Sequence, residues 1–309
     1  MTAPESHPTG IQVELAFGDD RAVVVEVGGG LREYSVGGRH LLDGYKASEM
    51  PIAARGQTLI PWPNRIDGGS YTFNGESQQL PLTEPERGTA IHGLTRWSAW
   101  NIVEQEAARV VMIHVLHPQP GYPFTLALRI EYRLSTAGLA IHTTATNIGA
   151  TPCPYGTGAH PYLTVGTQSI NTAVLATPAL AWLPHDVRGI PDGSRLSVAG
   201  TQYDFRVPRR IGDVVLDTAF TRLQRDPDGL ARVHLCSENN NATTVWFDES
   251  YAYLMLFTGD PLPEVNRRSL GVEPMTCAPN AFRSADGLIV LEPRASYAST
   301  WGLSASAVS

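Results

Sequence analysis

Leu126-Ala-Leu-Arg-Ile-Glu-Tyr-Arg-Leu134 alternates apolar and polar residues with a period of two, putting Arg129, Glu131 and Arg133 on one face. Successive side chains of a strand point to opposite faces, so this pattern predicts a strand with one side in a core and one in water. The neighbours read the same way. Ile11–Phe17, Ala22–Val27, Arg109–Leu116, Thr125–Leu134, Leu139–Asn147, Thr243–Phe247, Ala252–Phe257 and Ser296–Leu303 are short and rich in β-branched and aromatic residues. Turn residues part them at Gly18-Asp19-Asp20, Asn74-Gly75, Ala137-Gly138 and Pro227-Asp228-Gly229. No apolar period near 3.6 is sustained over a helix-length window of about twelve residues. With 29 Gly and 23 Pro in 309 residues, the sequence predicts an all-β chain folded as a large antiparallel β-sandwich rather than a parallel α/β sheet.

No Gly/Ser linker or solenoid-length repeat divides the chain, so one domain over 1–309 is expected, with 1–10 as a flexible N-terminus. The stretches 46–93 and 258–283 look like long ordered loops, which on a β scaffold carry function. Lys46 is the sole lysine among 23 Lys and Arg residues, set against 30 Asp and Glu for a net charge of −7. A Schiff-base enzyme would need Lys46 itself, and no GxxxxGK[ST] phosphate loop exists. Arginine stays charged near neutral pH, so any proton transfer must fall to His, carboxylates, Tyr or Cys. The acidic balance without basic runs argues against nucleic acid as a partner. The polar start MTAPESHPTG does not read as a secretory signal, and no apolar run reaches the roughly 20 residues a bilayer helix needs. Cys153, Cys236 and Cys277 are odd in number, with no CxxC, which argues against structural disulfides and a zinc knuckle. A cytoplasmic protein, monomeric or homodimeric, is expected.

Most motifs fail on spacing. Gly28-Gly29-Gly30 lacks the GxGxxG pattern and is followed by a strand-like segment, which predicts a tight turn or bulge. There is no GxSxG, HExxH or EF-hand pattern, and His114 and His117 would point to opposite faces of a strand, so no metal is called for. Four segments survive: Gly56–Ile66 with Trp62, Asn64 and Arg65; Ala90-Ile-His-Gly93 with His92; Gly156–Tyr162 with His160 held before Pro161; and Gly271-Val-Glu-Pro-Met275 with Glu273. Each has a plain reading as well. Arg65 reads equally as an ion-paired surface residue, His92 and His160 as hydrogen-bonded structural histidines, and Glu273 as an exposed strand-end carboxylate. On these residues alone, a catalytic centre and a binding module both remain open.

Taken together and in order, the segments resemble the aldose 1-epimerase (mutarotase) family over nearly the whole chain. Asn64-Arg65-Ile66 followed by Gly69, Tyr71, Phe73 and Gly75 is similar to that family's NRI stretch. Ile91-His92-Gly93 resembles its IHG, and His160-Pro161-Tyr162 its second histidine motif. The resemblance implies an antiparallel sandwich with a sugar cleft over one face. It implies a reaction without metal or organic cofactor, in which Glu273 is the base and His160 the acid, placed on opposite sides of the sugar. Arg65, His92 and Asp217 are implied to bind the small-molecule sugar substrate, with Asn64 and Trp62 as wall residues. Gly271–Phe282 differs from the best-known galactose-handling members, so the resemblance implies mutarotation without fixing the sugar. Two alternatives accompany it. One is a mutarotase of an anionic sugar, sulfoquinovose or a hexose 6-phosphate, with Arg32, Arg55, Arg87, Arg96 and Arg267 undistinguished as holders of the anionic group. The other is a non-catalytic carbohydrate-binding protein on the same fold.

Overall fold

The computed structural model describes residues 7–239 and 241–307. All eight strands read from the sequence are present, with ends displaced by a residue or two except at Ser296–Ala307, which runs on four residues past Leu303. Among the described residues two antiparallel sheets dominate. The nine-stranded sheet has the order Asn101–Glu106, Arg109–Leu116, Leu126–Ser135, Gly138–Asn147, Ser296–Ala307, Asn241–Phe247, Ala231–Cys236, Val174–Ala176, Arg209–Arg210. The eight-stranded sheet runs Leu196–Ser197, Ala179–Leu183, Asp217–Leu223, Tyr253–Phe257, Leu270–Met275, Gly158–Ala159, Thr58–Leu59, with Tyr162–Leu163 also paired to Leu270–Met275. A four-stranded sheet from Gln12–Phe17, Asp20–Val25, Gly30–Val36 and Arg39–His40 precedes them. Among the described residues helix is confined to Ile170–Thr172 and Ala281–Ser284. No helix among the described residues is long and apolar enough to cross a membrane.

The opening segment behaves as its alternation requires. Leu126, Leu128, Ile130, Tyr132 and Leu134 are buried, and the register sets Tyr132 against Ile141 and Leu128 against Ala145. On the outer face Glu131 gathers Arg109, Arg129 and Arg133 at 2.8 to 3.1 Å. Such cross-strand charge pairs add little energy but keep that face wet and set the register. Leu254, Leu256, Leu270 and Val272 of the eight-stranded sheet join the same core as Leu128 and Ile130, which makes the two sheets a sandwich. Asn74 and Gly75 both take left-handed φ, +50° and +82°, as a two-residue hairpin turn between Ser70–Phe73 and Glu76–Gln79 demands. Gly28-Gly29-Gly30 forms a turn leading into a strand, as its spacing predicts.

Three readings change, the first being that 46–93 is not all loop, since it carries the Ser70–Phe73/Glu76–Gln79 hairpin and the Arg65–Asp67/Thr89–Ile91 pair. The expected flexible stretch 1–10 is described only from His7, and there Thr9 is fully buried, its carbonyl accepting the Val27 N–H. Residues 258–283 are not all loop, because Leu270–Met275 is a strand buried at every position. With both faces covered it shows no alternation, and Gly271 and Pro274 inside it imitate a turn.

Candidate active site

Period-two geometry places the central carboxylate. In Leu270–Met275, Leu270 and Val272 face the core, which turns Gly271, Glu273 and Met275 to the opposite side of the sheet. Glu273 lies across from Met255 in the register and is 2% exposed. Beside it, His160 leaves the Gly158–Ala159 strand with its backbone N–H bonded to the Gln57 carbonyl and its carbonyl accepting from Gly56 N–H. His160 Nε2 is 3.2 Å from Glu273 Oε1. The imidazole lies flat against the Tyr162 ring, centroids 4.9 Å apart at 11°, and meets the His92 ring edge-on at 5.2 Å.

His92 and Arg65 come from a small ribbon, Arg65–Asp67 paired with Thr89–Ile91. Asn64 and His92 both have left-handed backbone, φ +56° and +63°. They lock together: His92 N–H donates to the Asn64 carbonyl at 2.9 Å, and Asn64 N–H donates to His92 Nδ1 at 3.2 Å. A backbone N–H can only donate, so Nδ1 is the acceptor and the neutral ring carries its proton on Nε2. Gly93 closes the turn at φ +74°, and a Cβ there would stand 2.0 Å from the Ile60 carbonyl oxygen. Gly93→Ala is therefore expected to destabilise the fold by about 3 kcal/mol or more, read from urea unfolding, because positive-φ strain and a backbone clash combine.

Arg65 is fixed by two bonds to Glu84, Nε to Oε2 at 2.7 Å and a second guanidinium nitrogen to Oε1 at 3.1 Å. Burial opposes its charge, but the bonds from Glu84 and the charges of Asp217 and Glu84 hold it above the ordinary arginine range. Asp217 opens the Asp217–Leu223 strand, with Arg87 at 3.8 Å. Burial, then the Asp217 charge, raises the Glu273 carboxyl to about 8 against the pull of Arg65. Burial, then Arg96 and Arg55, lowers His160 to about 3. His92 is driven well below its usual range by burial and by His160. Burial thus favours the neutral forms, one proton shared by Glu273 and His160.

These groups surround a cavity of about 300 Å³, the size of a small-ligand pocket. Asn64, Arg65, His92, His160, Asp217 and Glu273 all line it. Asn64 does so with its Oδ1 turned back to accept the Arg65 N–H. Trp62 does not line it: this predicted wall residue is buried beneath, against Phe282 at 5.5 Å. Glu273 and His160, expected as base and acid on opposite sides of a sugar, instead touch each other, because neighbouring segments of one sheet deliver them. Sequence reasoning missed Glu84, which only pairing to Arg65 reveals, and it left Arg87, Arg96 and Trp97 on the cavity wall unassigned. The five undistinguished arginines now separate. Arg87 and Arg96 reach the cavity, Arg55 lies behind Tyr162, Arg32 pairs with Glu33, and Arg267 pairs with Asp260 at 2.9 Å.

His92, His160 and Glu273 each bring a ligating atom within 4.8 Å of the others, a set of the kind that holds transition metals. One His92 nitrogen accepts from Asn64 and the other carries the proton, so neither is free to ligate. The geometry fits hydrogen bonding to a hydroxylated ligand better than a metal. Glu273 Oε2 and His160 Nδ1 are buried without partners, and orphaned polar atoms at a cavity are groups a ligand would satisfy.

A polar cavity of this kind on an oversized antiparallel sandwich places the molecule among the galactose-mutarotase-like folds. Within them the chain belongs to the aldose 1-epimerase family, whose model matches residues 12–304. It is 36% identical over 300 residues to an Escherichia coli protein called YihR, covering 94% of this chain and 92% of that one. To the aldose 1-epimerase of Escherichia coli it is 28% identical over 214 residues, 67% of this chain and 61% of that one. Among solved structures, an aldose epimerase homologue from C. elegans superposes with a TM-score of 0.86 at 18% identity, covering 97% of this chain and 99% of that one. The galactose 1-epimerase of Lactobacillus acidophilus gives 0.79 at 20%, covering 95% and 94%. At these identities the superpositions speak for the fold.

Proposed function

We propose that the protein is an aldose 1-epimerase that interconverts the α and β anomers of an aldohexose by proton transfer through Glu273 and His160. The observation that carries this reading is their 3.2 Å contact, buried at the foot of the cavity. The Glu273 carboxylate takes the proton of the C1 hydroxyl while the His160 imidazolium protonates the ring oxygen. The C1–O5 bond breaks and the open aldehyde forms. Rotation about C1–C2 exposes the other face, and the steps reverse, so both residues return to their starting state. The closed ring pairs with the charged tautomer and the open aldehyde with the neutral one. Burial, by favouring the neutral tautomer, therefore lowers the energy of the open-chain intermediate. Arg65 and the Nε2–H of His92 donate to sugar oxygens, and Asp217 accepts from hydroxyls.

Polarimetry on freshly dissolved α-glucose and α-galactose tests this: equilibration faster than in buffer is expected. The rate should be level across neutral pH and fall as pH rises through about 8, where the pair loses its shared proton and with it the acid. Failure to accelerate any aldose would reject the reading.

One observation favours an anionic sugar as a second reading. Arg96 lines the cavity, forms no ion pair among the described residues, and has a buried Nε without a partner. An unpaired guanidinium suits a sulfonate or phosphate. Arg96→Met is then expected to lower kcat/KM for hexose 6-phosphate or sulfoquinovose by about tenfold or more beyond whatever it costs on neutral hexoses through His160. Equal losses on both classes would remove this second reading.

A further inference from the structure

Beside His160 stands a stack that begins at the cavity wall with Tyr162 and ends outside the lining with Arg55, and that the proposed chemistry does not itself require. Tyr162 lies against the imidazole on one side, and the Arg55 guanidinium sits over its ring at 4.1 Å. Arg55 is 2% exposed. Asp43 holds it through the side-chain oxygen at 2.5 Å and the backbone carbonyl at 2.6 Å. The same Asp43 oxygen accepts from Ser269 Oγ at 2.7 Å and Arg268 Nε at 2.8 Å, at the residues leading into the strand that carries Glu273. Tyr162 is fixed in turn, its hydroxyl donating to the Ala53 carbonyl at 3.0 Å.

We propose that Arg55 is a positioning residue for the general acid: clamped by Asp43, it backs the Tyr162 ring against which His160 lies and presents a buried cation to the far side of the imidazole. The inference rests on the reading of His160 as the acid. A cation behind the ring disfavours the imidazolium, making it the stronger acid toward the ring oxygen. The other charged or titratable groups facing His160 are Glu273, His92, Arg65 and Arg96, with Asp217 acting through Glu273. Arg55 differs from Arg65 and Arg96 in lying outside the cavity lining. Its contribution therefore persists whatever the sugar, and its loss should fall on kcat rather than KM.

The test compares Arg55→Gln, which keeps a planar amide against Tyr162 but loses the charge, with Arg55→Lys, which keeps the charge. In the Gln variant, the half-protonation of His160, about 3 in the wild type and followed by 15N ring shifts from pH 8 to 2, should rise by about one pH unit. The acidic limb of kcat should move with it, and kcat should fall about tenfold with KM within about threefold. The Lys variant should stay near wild type in both readouts. A folded Gln variant with unmoved His160 titration and unchanged kcat would overturn the proposal. So would a Lys variant shifted as far as Gln. Arg55→Met is the second neutral variant if Gln does not fold. Failure of both to fold while Lys folds normally would assign Arg55 to the scaffold and also overturn it. The ring titration needs no turnover, so the two failures separate. A shifted His160 in a protein that equilibrates no sugar removes the mutarotase reading, whereas normal turnover with an unmoved His160 removes this one.

Discussion

Glu273→Gln should abolish measurable mutarotation, with kcat down by about 10³-fold, and at the same time make the protein harder to unfold. The first effect follows from the role proposed for the carboxylate, since an amide of the same shape takes no proton from C1–OH. The second follows from burial. The folded protein holds the Glu273 proton up to about pH 8, whereas an unfolded carboxyl releases it near 4.5. Between those values the folded state binds more protons than the unfolded state, so stability falls as pH rises. Above about 8 the native structure carries an ionised carboxylate buried beside the Asp217 charge, at a cost of about 5 kcal/mol at most. Glutamine removes that cost and can donate to the neutral His160 ring. The melting temperature of the variant should match wild type near pH 5 and exceed it by a widening margin toward pH 8.5. An active variant, or a gap that does not grow with pH, would contradict the assignment. A loss of activity with a gain in stability marks a residue kept for chemistry rather than for the fold.

His160→Asn is the second large effect. It removes the acid while leaving Arg65, His92 and Asp217 in place to bind the sugar. We expect kcat to fall by about 10²- to 10⁴-fold with KM changed by less than about threefold. The double variant Glu273→Gln/His160→Asn should be little worse than the poorer single variant, because the two act as one proton-sharing unit. Multiplicative losses in the double variant would mean that they act in separate steps.

The fold was legible because long strands with one wet face announce themselves. Leu126–Ser135 and Gly138–Asn147 alternate cleanly, and their turns carry Gly and Asn where the backbone needs them. The strand that bears Glu273 was not legible, since burial on both faces removes the alternation and Pro274 reads as a breaker. The site was partly legible. Glu273, His160, His92, Arg65 and Asn64 were chosen for their Gly and Pro neighbours and for a family resemblance, and they share one cavity with Asp217. The resemblance also puts Trp62 on the wall, but a match of segments says nothing of which way an indole points. Glu84 and Arg55 owe their importance to pairings across 19 residues and 107 residues respectively, with Arg65 and Tyr162. No local pattern encodes such contacts.

In the proposed reaction Glu273 and His160 move protons on a sugar. Two-dimensional NMR exchange spectroscopy of an aldose already at anomeric equilibrium reads this directly, because cross-peaks between the α and β anomeric protons appear only when the ring opens and closes within the mixing time. With chelator present, the wild-type protein should produce such cross-peaks for at least one neutral or anionic aldohexose, and Glu273→Gln should produce none above buffer. Exchange no faster than buffer across both classes of sugar, or undiminished exchange in the Gln variant, would contradict it.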